Sequence, residues 1–420
     1  MIKAIDLSQA IAMSWEHIVL MLGDDCEHFE FQLIALLRRL DCVQEPDQAV
    51  VIQSILELFQ KFDAAHELLI QAIRRVASRS KGVDMMPAAF TKMERYTSVP
   101  VFYGTDRAAV STLDEPISYG VERGNLTFGV AEVSIPDDHR MGKIERPGVW
   151  KLQFREDPKK HVVVLSLEQL SSSEFVSRAQ DVLNRNSNKE VLLFIHGYNV
   201  GFTDALSRAA QIAYDLKFDG MPALYSWPSE ASLPKYTVDE NNIIWSRPRF
   251  AQFLSIIREN LGAKTIHIIA HSMGNRLVAE TIASMTQPVE PHFARFRQIV
   301  FAAPDIDAET FKDLSAAFHE KAERFTLYAS SADKALMASK MIHKYPRAGE
   351  SGLDLVVVGS VDTVDATAVD TSLLGHSYYG DNRSVLADVY QLIQQGFPPE
   401  QRFGLKPKTK YGARYWLFSP

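Results

Sequence analysis

From about residue 96 onward, short apolar runs of strand length alternate with stretches of helical periodicity, and this alternation constrains the fold more than any other feature. PVFYGT (100–105) and LTFGVAEVSI (126–135) read as strands, followed by HVVVLSL (161–167), VLLFIHG (191–197) and ALYSWP (223–228). TIHIIAHS (265–272), QIVFAAP (298–304), RFTLYASS (324–331) and LDLVVVGS (353–360) complete the set. Several of these runs are apolar without a break. A strand with one wet face alternates, so an unbroken run requires cover on both faces, as helices above and below a parallel sheet provide. Helical patterns at 173–184, 203–216, 247–261, 273–286 and 308–322, and a last one in SVLADVYQLIQQ (384–395), supply that cover. The alternation predicts an α/β fold with a mostly parallel, doubly wound sheet.

The first 80 residues have a different texture. Apolar residues recur at steps of three and four in Leu7–Leu22, Phe29–Leu40, Val51–Phe62 and Leu69–Val76, with Asp24 and Asp25 as caps and Pro46-Asp47 opening the third stretch. Four amphipathic helices with brief connections predict a small bundle at 1–80, a linker at 81–95 and a larger domain at 96–420. The two cysteines, Cys26 and Cys42, are too few for a disulfide framework or a multi-cysteine zinc site and fit a reducing compartment. A formal net charge of -7 with no basic stripe argues against a nucleic-acid partner. The N-terminal MIKAIDLSQA has no apolar signal core and no run of about 18 apolar residues follows, so the expectation is a cytoplasmic protein without a membrane span.

AHSMG (270–274) ends an apolar strand and opens a helical run, the context of a nucleophile elbow. A serine on so tight a turn exposes its Oγ at the edge of the sheet, and small residues two before and two after it relieve crowding. Ala270 stands where glycine is usual. The helix start also offers N–H groups to a developing oxyanion, which makes Met273 one candidate donor. A serine that merely caps a helix would look the same locally. FIHGYNVGF (194–202) ends another strand, and Gly197 there allows close backbone approach, with the Tyr198 N–H as the second oxyanion donor.

The base should follow the serine in the chain. Among His292, His319, His343 and His376, only His376 lies after the last strong strand and before the final helix. For the acid, Asp333 directly follows a strand and could hold the imidazole tautomer. Asp305 and Asp307, in APDIDAE, compete with it, although they would also suit a helix cap.

Taken in order, VPVFYGTDR (99–107), FIHGYN (194–199), YSWPS (225–229), AHSMGN (270–275), FAAPDID (301–307), LYASSADKAL (327–336) and LLGHSYY (373–379) resemble the bacterial α/β-hydrolases once classed only as a domain of unknown function, DUF900. The resemblance covers residues 96 to 395. It implies an α/β-hydrolase fold and serine-esterase or lipase-like activity, with nucleophile Ser272, acid Asp333 and base His376. It says nothing of the first 95 residues and names no substrate.

These readings give an esterase working through an acyl-enzyme on a small-molecule or lipid ester, with no metal or organic cofactor implied. Trp227 is a candidate pocket wall, and the stretch from there to Trp245 a candidate cap. The alternative is a partner-regulated effector whose N-terminal helices recruit the hydrolase to another protein or mediate self-association. The tail KPKTKYGARYWLFSP is expected to strap the C-terminus to the domain, with contact to a membrane surface as the lesser reading.

Overall fold

The strands form where unbroken apolar runs gain cover on both faces, and the helices take up the connections between them. The computed structural model describes residues 32–33, 36, 48–60, 95–110, 117–146, 156–185, 188–230, 235–286, 292–332, 336, 339, 343–368 and 385–418. Two compact units are present, Met1–Tyr96 with Glu145–Val163, and Thr97–Ile144 with Val164–Pro420. In the first, helix α1 (Gln48–Gln60) buries Val51, Ile55, Leu58 and Phe59 and leaves Gln53 and Glu57 outside, one apolar stripe as its spacing predicts. The expected first and fourth helices, most of the second, both cysteines and the 81–95 linker lie outside the described residues.

The second unit is built on an eleven-stranded sheet in the order β10-β11-β9-β8-β7-β6-β4-β5-β1-β2-β3. Its strands are β1 (Tyr96–Val110), β2 (Ser118–Pro136), β3 (Val163–Leu170), β4 (Glu190–Ile195), β5 (Met221–Ser226) and β6 (Thr265–His271). Then come β7 (Arg295–Ala302), β8 (Ala322–Ala329), β9 (Asp362–Asp365), β10 (Leu405–Lys410) and β11 (Ala413–Phe418). From β1 through β5, β4, β6, β7, β8 and β9 to β11 every pairing is parallel, and the β10–β11 hairpin is antiparallel. The helices are α2 (Ser172–Arg185), α3 (Phe202–Asp215), α4 (Tyr236–Asn260), α5 (Gly274–Ser284), α6 (Ala308–Ser315) and α7 (Val385–Gln395). Helix α3 packs on β4, β5 and β2 with α7 beside it. Helix α2 packs on β2 and β5, and α4, α5 and α6 follow one another along the sheet. This is the doubly wound α/β arrangement that the alternation predicts.

Three expected boundaries are corrected. Helix α6 stops at Ser315 rather than 322, because Phe318 turns inward and stacks on Phe325 (ring centroids 4.6 Å apart) and Phe301 (5.5 Å). His319 therefore sits in an exposed turn, not on a helix. The run 353–360 is not a strand: it begins as a 3₁₀ turn at Gly352–Asp354, buries Leu355 and Val356, and turns again where the Val361 N–H meets the Val358 carbonyl. The strand itself is the more polar β9 that follows. Helix α4 begins at Tyr236, eleven residues before the sequence pattern, because its first turns bury Tyr236, Asp239, Asn242 and Ser246 and so carry no apolar stripe. Pro248 sits inside α4, where its missing N–H deprives the carbonyl of Ile244, a residue on the exposed face. The C-terminal tail forms β10 and β11 and joins the sheet through β9. No helix among the described residues is long and apolar enough to cross a membrane.

A buried ionic knot ties β8, α7 and the segment before β10. Arg402 Nη1 donates to Asp388 Oδ2 at 2.8 Å and to Tyr328 Oη at 3.1 Å, and the Tyr328 hydroxyl donates to the same carboxylate oxygen at 2.5 Å. Both charged side chains are fully buried. Removing one partner strands the other charge in a dry interior. Asp388→Leu or Arg402→Met alone is therefore expected to lose about 3–5 kcal/mol in urea unfolding, and the double variant to regain much of it. Single variants losing under about 1 kcal/mol would mean that the knot contributes little.

Candidate active site

Strand β6 ends at His271, and the next residue, Ser272, has a backbone φ of 48°. For a residue with a Cβ this left-handed region costs on the order of 1–2 kcal/mol, so it persists only where the surroundings impose it. Here they do. The Ser272 N–H donates to the Ala302 carbonyl at 3.0 Å, and the Ser272 carbonyl receives the N–H groups of Asn275 and Asp305, each at 3.2 Å. Asn275 Nδ2 donates to that same carbonyl at 2.8 Å and to the Ala302 carbonyl at 3.1 Å, so one buried amide bridges the ends of β6 and β7. Helix α5 starts at once, with Met273 as its cap residue, and directs its free N–H groups to the turn.

Two glycines let the neighbouring strand end come close. A Cβ on Gly274 would lie 2.3 Å from the His196 carbonyl oxygen, and one on Gly197 would lie 2.9 Å from the Ser272 Cβ. The loop after β4 thus passes directly against the serine turn, which brings Tyr198, Ser272 and Met273 together. Asn199 in that loop also has a left-handed φ, 57°. No backbone carbonyl among the described residues accepts from the Tyr198 or Met273 N–H.

His196 braces this loop. Its Nδ1–H donates to the Gly197 carbonyl at 2.7 Å, leaving Nε2 to accept from Ser226 Oγ at 3.0 Å. Burial, with the Arg107 guanidinium nearby, holds it well below the usual histidine range, so it stays neutral. Trp227 stacks on it at 5.2 Å and 14° and donates from Nε1 to its carbonyl at 2.9 Å. Trp227, the candidate pocket wall, is fully buried, with its indole face and N–H both engaged in holding the loop. Asp239, in the first turns of α4, accepts from the Asn199 N–H (3.3 Å), Ser229 Oγ (2.6 Å) and the Glu230 N–H (2.8 Å). The expected cap from Trp227 to Trp245 is thus in part the start of α4, and residues 231–234 lie outside the described residues.

The competing carboxylates have other partners. Asp305 is buried against Tyr236 Oη, Ser339 Oγ (2.7 Å) and Arg347 Nε (3.1 Å), while Arg276 Nε donates to its backbone carbonyl at 2.7 Å. Asp307 caps α6 by accepting the Thr310 N–H at 2.9 Å. His343 Nε2 lies 3.1 Å from Glu240 Oε1, and burial followed by the charge of Arg347 pulls its pKa down. Asp333 and His376 lie outside the described residues. The sequence reading missed Asn275, Asp239 and Arg107. A signal existed for Arg107, a charge at the end of an apolar strand. Among the described residues no group of three or more His, Cys, Asp or Glu side chains is placed to hold a metal.

No solved structure matches the chain at a significant level. Among curated proteins, an uncharacterised protein of Nostoc sp. (strain PCC 7120) is 28% identical over a stretch covering 26% of this chain. That stretch spans 35% of the relative's length. Residues 171–395, over half of the chain, match the family described as alpha/beta hydrolase of unknown function (DUF900), and the chain belongs to that family.

Proposed function

We propose that this hydrolase cleaves carboxylic esters through an acyl-enzyme on Ser272. The observation that carries the reading is the left-handed Ser272 on the β6–α5 turn, pressed against Gly197 of the loop after β4. A helix-capping serine has no need of that strain. In the proposed reaction Ser272 Oγ attacks the ester carbonyl and His376 takes its proton, then returns it to the departing alcohol. Asp333 keeps the imidazole in the tautomer that faces the serine. Water, deprotonated by His376, then attacks the acyl-enzyme and frees the acid. The N–H groups of Met273 and Tyr198 receive the negative charge on the tetrahedral oxygen.

Asp333 is favoured as the acid because its rivals are occupied: Asp305 by Tyr236, Ser339 and Arg347, and Asp307 by Thr310. Amide, thioester or phospholipid cleavage would use the same groups, and a soluble short-chain ester is the simplest probe of all of them.

Ser272→Ala is expected to abolish short-chain ester hydrolysis and fluorophosphonate labelling without unfolding the protein. Turnover should fall on the order of 10⁶, as for the nucleophile of a triad acting as a unit. More than a few per cent residual activity in the folded variant would reassign the nucleophile.

The two acids should separate by type of damage. Asp333→Asn is expected to lower turnover about 10⁴-fold at nearly unchanged Tm. Asp305→Asn should chiefly lower stability, by up to about 3–5 kcal/mol, since it unbalances a buried ionic cluster. If Asp305→Asn shows the larger turnover loss at unchanged Tm, the acid lies after β7.

A further inference from the structure

Arg107 ends the inner stretch of β1, level with the end of β5, where Thr105 is in register with Ser226. It is a fully buried cation whose hydrogen bonds go to carbonyls and a hydroxyl, with an imidazole beside it, and not to a carboxylate. Burying a charge without a paired carboxylate costs several kcal/mol unless its donors are satisfied, and here they are. Nε donates to Ser226 Oγ at 2.9 Å. Nη1 donates to the carbonyls of Gly120 (3.0 Å) and Ser229 (3.1 Å), and Nη2 to the Val200 carbonyl at 2.8 Å. The remaining Nη2 hydrogen faces His196 Nε2 at 3.4 Å. One planar group thus ties β2, the loop after β5 and the loop after β4.

We propose that Arg107 is a positioning residue for the oxyanion loop, fixing the 196–200 peptides so that the Tyr198 N–H stays available to the tetrahedral intermediate on Ser272. The proposal rests on the reading of Ser272 as nucleophile. The loop is held from both sides: Arg107 takes the Val200 carbonyl, while Asp239 takes the Asn199 N–H and Ser229 Oγ takes the Val200 N–H at 3.2 Å. The Gly197 carbonyl is taken by His196, whose other nitrogen is set by Ser226 Oγ, itself an acceptor for Arg107 Nε. None of these groups engages the Tyr198 N–H, whereas the Asn199 and Val200 N–H groups that follow it are both taken. Burial pulls Arg107 down to about 10, so it remains charged at neutral pH. A lysine here would keep the charge but not the fork: three donors on one nitrogen cannot span acceptors on three segments.

The test compares wild type, Arg107→Lys and Ser226→Ala in the full chain, with Arg402→Lys as a control for general destabilisation. Hydrolysis of a short-chain ester is normalised to Ser272 sites titrated to completion with a fluorophosphonate. For Arg107→Lys the expected result is a kcat lower by about 10²-fold, the scale for one lost oxyanion donor, with KM within about twofold. Amide exchange across 196–200 should rise at least about tenfold, a local opening, while peptides from β8 stay at wild-type rates. Arg402→Lys should lower Tm without changing exchange across 196–200. Ser226→Ala removes the Nε acceptor and the His196 partner, and should shift kcat and loop exchange the same way by less. It decides the matter if Arg107→Lys does not fold. Wild-type kcat or wild-type loop exchange in a folded Arg107 variant would overturn the proposal. Hydrolysis surviving Ser272→Ala would instead overturn the reading beneath it, and the exchange data would still decide whether Arg107 holds the loop.

Discussion

At the carboxyl edge of the sheet, the turns after β4 and β6 approach each other more closely than residues bearing side chains could. The two strands are hydrogen-bonded neighbours, with Ile195 level with Ala270, so their outgoing turns start side by side. A methyl group on Gly274 would overlap the His196 carbonyl, and one on Gly197 would press on Ser272. Alanine at Gly274 would force the first turn of α5 off the end of β4, and the serine would leave its place beside the loop. Most of the remaining structure around the site can be understood as what keeps these two turns in contact.

The contact falls at a particular place in the topology. The chain leaves β4 towards β5 and leaves β6 towards β7, in opposite directions along the sheet. A crevice opens where successive connections diverge in this way, which is where open α/β sheets bind ligands. Helix α4 has to cross back over β4 to reach β6, and its polar start lies over this divergence. Asp239 in its first turns holds the loop after β4, while Tyr236 and Glu240 meet Asp305 and Arg276 on the elbow side. The Tyr198 and Tyr236 rings meet edge to face at 5.2 Å, joining the two halves. One helix end thus serves both turns.

Much of this frame was legible in the sequence, for a physical reason. Strands buried on both faces announce themselves as unbroken apolar runs, and β4, β5, β6, β7 and β8 fall where those runs lie. The failures have equally local causes. At 355–358 an apolar run is buried by a bend instead of a strand, and the helix before β8 is cut short by one phenylalanine joining an aromatic stack. The turn bearing Ser272 could be read because its requirements are compressed into five residues. The groups that hold it could not. Asn275 acts through the end of β7, Arg107 through segments up to 122 residues away, and Asp239 through a loop 40 residues back. No periodicity encodes such relations, and Asp305 competed for the acid's role for the same reason, since its partners Tyr236, Ser339 and Arg347 lie far from it in sequence.

The places where local rules are broken coincide. Asn199, Ser272 and Ala303 all have left-handed backbones, with φ between 46° and 57°, and they follow the adjacent strands β4, β6 and β7. Each is held by a specific partner: Asp239 for Asn199, Asn275 for Ser272, and the Tyr328 carbonyl for the N–H of Ala303. The other non-glycine residues in this region, Lys189, Lys217, Glu320, Lys344 and Tyr411, lie outside this row of strand ends, in turns and loops elsewhere. The buried Arg107 and the ionic cluster around Asp305 flank the same three strand ends. Strain and buried charge each reduce stability unless the surroundings compensate them, and a chain selected for stability alone would not gather both along one sheet edge. Their convergence on Ser272 is an argument for function there that does not depend on the serine motif.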